Sequence, residues 1–196
     1  MAGLNLLITG RPGVGKTTLV MNVVARLRGS LRLAGFTTAE VRDPSGERTG
    51  FQILTLEGKQ AELARAGFRS SVQVGRYGVN LEAFERLALP ELARRDVDLI
   101  VIDEIGKMEC ASDRFCRSVE GALDSQVSVL ATLGFARLPF LRSVRSRPDV
   151  EVLTLTERNR NALVEELYRR FHRSLHKQTV RLWKTPSESR GRFHEP

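Results

Sequence analysis

Residues 10–17 read GRPGVGKT and fill every fixed position of the pattern GxxxxGK[ST], between an apolar run at residues 4–9 and a helical repeat that begins at Leu19. A strand, a glycine-rich loop and a helix in that order suit a phosphate chain for physical reasons. Gly13 and Gly15 carry no Cβ, so the backbone can turn tightly and point successive N–H groups inward at a phosphate. Lys16 brings a cation to the β- and γ-phosphates, Thr17 offers a hydroxyl to Mg²⁺, and the helix dipole adds positive potential at the same place. Gly10, Arg11, Pro12, Gly13, Val14, Gly15, Lys16, Thr17 and the next residue, Thr18, are therefore the expected contacts of a nucleoside triphosphate. A plain glycine-rich turn would explain the glycines but not the Lys-Thr pair at this spacing.

A phosphate-bound Mg²⁺ calls for a carboxylate at the end of a neighbouring strand. Residues 97–103 (VDLIVID) form an apolar run that closes on Asp103, with Glu104 next and the turn residue Gly106 after it. Asp103 is the candidate metal ligand with Thr17. Glu104 is the candidate base for a water in line with the γ-phosphate, which favours hydrolysis over transfer. Cations must also neutralise charge on the transferred group. Arg42, Arg48, Arg76, Lys107 and Arg160 all sit in or beside loops, and no spacing chooses among them.

The remaining pattern predicts the frame. Leu19, Val20, Val23, Val24 and Leu27 repeat at helical spacing until Gly29. Residues 35–42, 49–56 and 60–65 read as three strands joined by DPSGE and EGK, which predicts an antiparallel extension beside an otherwise parallel sheet. A glycine-rich passage follows, then a helix capped by Asn80 and interrupted at Pro90. Ser112 caps another helix, residues 127–133 and 150–155 read as strands, and Thr156 is expected to cap a long helix with Leu163, Leu167, Phe171 and Leu175 on one stripe. The fold class is thus three-layer α/β, with one domain over residues 1–175 and a basic tail at 176–196 that lacks an apolar repeat and is expected to be loosely docked, with Trp183 as its anchor.

Charge is uneven. Residues 1–136 hold 17 basic and 16 acidic side chains, against 14 and 7 in residues 137–196, so the C-terminal part carries +7 of the net +8. That excess keeps a nucleic-acid partner as a secondary expectation, although positive potential also serves a polyphosphate ligand. No apolar stretch is long enough to cross a bilayer, which predicts a cytoplasmic or nuclear protein. Cys110 and Cys116, separated by five residues and without a nearby histidine, fit no zinc pattern and are expected to be reduced.

Five separated stretches, GRPGVGKTTL, GFTTAEVRDPSGERTGF, VGRYGVNLEAFE, VIDEIGKME and LTERNR, resemble the nucleoside-triphosphatase family that includes the vertebrate cancer-related nucleoside-triphosphatase and its archaeal and bacterial relatives. The likeness covers about residues 4–171. It implies a RecA-like P-loop fold and Mg²⁺-dependent hydrolysis of ATP, GTP and other nucleoside triphosphates to the diphosphate with little base selectivity. It implies triphosphate contacts at residues 10–17, the metal on Asp103 and the water on Glu104. Arg42, Arg48, Arg76, Lys107 and Arg160 fall on motif positions, with Arg48 and Arg160 assigned beside Lys16 and Glu104 to catalysis, and Arg76 and Lys107 to nucleotide binding. Residues 134–140 (GFARLPF) depart from the vertebrate-like pattern, being shorter and poorer in lysine. A monomer is expected. The alternatives are a nucleotide or small-molecule kinase, for which an arginine-rich lid is lacking, and a nucleotide-switched module for RNA or protein.

Overall fold

A computed structural model describes the backbone of residues 3–182 and the side chains to residue 174. Strand β1 (Asn5–Thr9) leads through the glycine loop into helix α1 (Lys16–Leu27), followed by β2 (Leu33–Arg42), β3 (Arg48–Thr55) and β4 (Gln60–Ala66). Then come β5 (Gln73–Val74), β6 (Tyr77–Val79), α2 (Leu81–Leu92), β7 (Leu99–Ile105), a 3-10 turn (Glu109–Ala111) and α3 (Asp113–Leu123). The described chain finishes with β8 (Ser128–Leu133), α4 (Pro139–Arg145), β9 (Val150–Thr154) and α5 (Arg160–Leu182).

These strands form one nine-stranded sheet among the described residues, in the order β5-β6-β4-β3-β2-β7-β8-β1-β9. The half from β2 to β9 is parallel, and the half from β2 outward to β5 is antiparallel. Three layers follow from the sequence of β1 itself. Leu6 and Ile8 pack with Leu19, Val23, Leu163 and Phe171 of α1 and α5, whereas Leu7 between them belongs to the opposite core with α2 and α3. The same alternation divides Leu99 and Val101 from Ile100 and Ile102 in β7. A strand apolar on both sides is what burial between two helix layers requires. On the α2 and α3 side, Phe36, Phe84 and Phe115 meet edge to face with centroids 5.1–6.1 Å apart.

Local chemistry sets the boundaries. Asn80 accepts from the Ala83 N–H at 3.1 Å and Ser112 from the Phe115 N–H at 3.0 Å, as expected of both caps. Pro90 lies inside α2, which ends two residues later. Four features go beyond or depart from the sequence pattern. Thr156 does not start α5: its N–H is taken by the side chain of Asn159 at 2.8 Å, and the first helical bond runs from the Leu163 N–H to the Asn159 carbonyl. The glycine-rich passage before α2 holds the small β5–β6 hairpin, turned at Gly75, where φ is 61°. Helix α4, opened by Pro139, had no sequence expectation. Finally, α5 continues to Leu182, so the boundary expected at residue 175 falls within a helix. Trp183 and the rest of the tail lie outside the described residues. No described helix is long and apolar enough to cross a membrane.

Candidate active site

The glycine loop sits at the C-terminal end of β1, where a parallel sheet opens toward ligands. Gly13 and Gly15 adopt φ of 74° and 96°, a region that L side chains rarely enter. The Leu19 N–H bonds the Gly15 carbonyl at 2.9 Å, so α1 starts at Lys16 and its positive end adjoins the loop. Lys16 folds back over this loop, donating to the Gly10 carbonyl at 3.4 Å.

One strand separates β1 from β7, and that strand, β8, supplies the link. Asp103 of β7 is 1% exposed, and its Oδ1 accepts from the Thr132 hydroxyl of β8 at 2.6 Å. Its Oδ2 is buried with no hydrogen-bond partner. Burial pushes the carboxyl above the usual range, while the Thr132 and Thr17 hydroxyls and the Lys16 charge pull it back. An orphaned carboxylate oxygen beside a threonine hydroxyl and a phosphate loop is a donor set that suits a hard divalent cation. Glu104 is raised as well, first by burial and also by Asp103, against the pull of Lys16, whose Nζ lies 3.9 Å from its Oε2.

Two cavities flank the loop. One, of about 350 Å³, is lined by Gly13, Gly15, Lys16, Thr17 and Glu104, with Thr38, Glu40, Phe51 and Phe135 opposite. Phe135 is 70% exposed at its mouth. The other, of about 760 Å³, runs along residues 10–14 and 154–158. Arg11, Pro12 and Val14 line it, and Gly10 is needed because a Cβ there would stand 2.7 Å from the Leu155 carbonyl.

The cations divide. Arg160, first residue of α5, comes to the loop: its Nε is 4.0 Å from where a Cβ of Gly15 would stand. Arg48 and Arg76 gather instead on the antiparallel half. Arg48 bonds Glu40 at 2.6 Å and the Tyr77 hydroxyl at 3.0 Å, and Arg76 bonds Glu47 at 2.6 Å and the same hydroxyl at 3.2 Å. Arg42 pairs with Glu40 and donates to the Gly46 carbonyl at 2.7 Å. None of these three arginines is among the residues lining the first cavity, although Glu40, the partner of Arg42 and Arg48, is. Lys107 and Thr18 are exposed beside the site. Sequence reasoning did not name Arg145, which reaches the Thr9 hydroxyl and the Gly134 carbonyl at 3.4 Å each, nor Glu109, a carboxylate 5% exposed under the β7 end. Arg145 lies in no quoted stretch, and Glu109, though it ends VIDEIGKME, has nothing in its spacing to mark it as buried. Cys110 and Cys116 are both partly buried, with Cys116 Sγ 3.9 Å from the Cys110 carbonyl.

A family model described as NTPase matches residues 5–168. The nucleoside-triphosphatase THEP1 of Thermotoga sp. (strain RQ2) is 43% identical over 166 residues, covering 84% of this chain and 93% of that protein. Among solved structures, the crystal structure of THEP1 from the hyperthermophile Aquifex aeolicus superposes with a TM-score of 0.75 at 42% identity, covering 83% of this chain and 96% of that one. The solution structure of a human cancer-related nucleoside triphosphatase gives a TM-score of 0.76 at 36% identity, covering 87% and 98%.

Proposed function

The chain belongs to this NTPase family, and from that premise we propose that it hydrolyses nucleoside triphosphates to diphosphate and phosphate with Mg²⁺ and with little preference among bases. The observation that carries the reading is the meeting of Lys16, Thr17 and Glu104 in the lining of one cavity, with the buried Asp103 carboxyl next to Thr17 and Lys16. Residues 10–18 wrap the α- and β-phosphates with backbone N–H groups, and Lys16 follows the γ-phosphate into the transition state. Thr17 and Asp103 would hold Mg²⁺, which when bound supplies charge neutralisation on the β- and γ-oxygens. Glu104, held near Lys16 and partly desolvated, orients a water and takes its proton as it attacks phosphorus. The Arg160 guanidinium beside Gly15 adds positive charge on the loop side, and Arg145 adds it near Gly134. Arg48 holds Glu40 in the wall of the first cavity, and Arg76 holds Glu47 and shares the Tyr77 hydroxyl with Arg48.

The larger cavity is the place for the base. Pro12, Val14 and Leu155 give it apolar surface that discriminates weakly among flat rings, and Arg11, Glu157 and Arg158 are the charged side chains that line it. The test is phosphate release from ATP, GTP, CTP and UTP and the matching diphosphates, with Mg²⁺ and with a chelator. All four triphosphates should turn over within about tenfold of each other, the diphosphates should not, and chelation should stop the reaction. Transfer of the γ-phosphate to an added acceptor without free phosphate would establish a kinase instead.

A further inference from the structure

Glu109 opens the 3-10 turn that follows β7, and its side chain points into the protein. The space it enters is shared with Glu104. A Cβ on Gly106 would stand 2.6 Å from Glu104 Oε1 and 2.8 Å from Glu109 Oε2, so both carboxyl groups border the space beside a single glycine. Gly134 borders it as well, since a Cβ there would be 3.0 Å from the same Glu104 Oε1 and from Gly106 Cα. Oε1 of Glu104 is thus walled in by two glycines and a second acid. Its Oε2 turns the other way, toward Lys16 Nζ at 3.9 Å.

We propose that Glu109 is a positioning residue for Glu104: seated against Gly106, it fixes Oε1 and leaves Oε2 as the oxygen that meets the attacking water. This rests on the reading of Glu104 as the group that activates water. Two ionised carboxylates side by side in a buried space repel, so one of them keeps its proton. Burial pushes Glu109 up to about 8, with Glu104 and Asp103 adding to the rise and the N–H groups of Glu109 and Gly106 opposing it. A neutral Glu109 presents an O–H where an ionised one presents a second negative charge. Its charged and titratable surroundings are Glu104 and Asp103 of β7, Lys16 of α1 beyond Glu104, and Cys110 in the same turn. Glu85 of α2, on the helix packed against this turn, is held by Ser112 and by Arg114 of α3.

The experiment is steady-state ATP hydrolysis by the full chain across pH, with binding of a non-hydrolysable ATP analogue measured in parallel. The parent's kcat should fall as pH rises through about 8. Glu109→Gln keeps the shape and cannot ionise, so its ratio of kcat at about pH 9 to kcat at about pH 7 should exceed the parent's severalfold. Cys110→Ser should keep the parent's alkaline fall, which assigns the titration to the carboxyl. Glu109→Ala should lower kcat by about tenfold or more with analogue affinity retained. An unchanged alkaline limb in Glu109→Gln, or parental kcat in Glu109→Ala, overturns the positioning role while leaving Glu104 in place. Parental turnover in Glu104→Gln overturns both together, so the two failures are told apart.

Discussion

Lys16 Nζ stands 3.9 Å from Oε2 of Glu104, joining the cation of the phosphate loop to an acid near the end of β7 in the lining of one cavity. At that length the pair is a weak ion pair. Under the proposed function, an incoming γ-phosphate would be the stronger partner for the ammonium, and nucleotide binding would free the carboxylate for water.

Lys16→Ala should therefore weaken nucleotide binding and turnover together, because the ammonium touches phosphate oxygens before and during the reaction. Calorimetric affinity for a non-hydrolysable analogue and kcat for ATP are the two readings. Near-parental values for both would remove the loop from the mechanism.

Asp103→Asn should act differently. Its buried Oδ2 has no protein partner, so losing the charge should chiefly raise the Mg²⁺ concentration that half-saturates hydrolysis. The Thr132 hydroxyl can still bond the amide oxygen, so the melting temperature should change little. A titration of activity against Mg²⁺ decides, and an unshifted midpoint would mean that Asp103 does not serve the metal.

Gly106→Ala tests the crowding of the two acids. The added methyl would meet Glu104 Oε1 at 2.6 Å and Glu109 Oε2 at 2.8 Å, and both are ends of side chains that can swing aside. The fold should survive and Glu104 should move. A displacement near 1 Å in a reacting group can cost about a hundredfold in rate, so kcat should drop on that scale while analogue affinity holds. Full activity would show that the position of Glu104 tolerates such a shift.

How much of this was legible beforehand differs by residue. The glycine loop is a local pattern whose backbone demands stand in eight consecutive letters, and the run ending at Asp103 is apolar because both of its faces are buried. Proximity is another matter. Arg160 comes beside Gly15 because β9 pairs with β1 and hands the chain to α5 next to the loop. Arg48 and Arg160 look equivalent in sequence, yet only the fold shows that the first is held by Glu40 and Tyr77. Glu109 closes the VIDEIGKME stretch, but a single acid in a turn usually faces water, and only the fold shows it buried against Gly106. The start of α5 was misplaced because the side chain of Asn159, not a spacing rule, captures the Thr156 N–H.

The most direct test of the account is Glu104→Gln, with single-turnover hydrolysis and equilibrium nucleotide binding measured on the same preparation. The substitution keeps the shape and phosphate contacts and removes the base. Turnover of ATP and GTP should fall by ~10² to 10⁴, while Kd for the Mg²⁺ complex of a non-hydrolysable analogue changes by less than about threefold. Hydrolysis of both triphosphates at close to the parent rate would contradict the account, since the water would then be activated by another group.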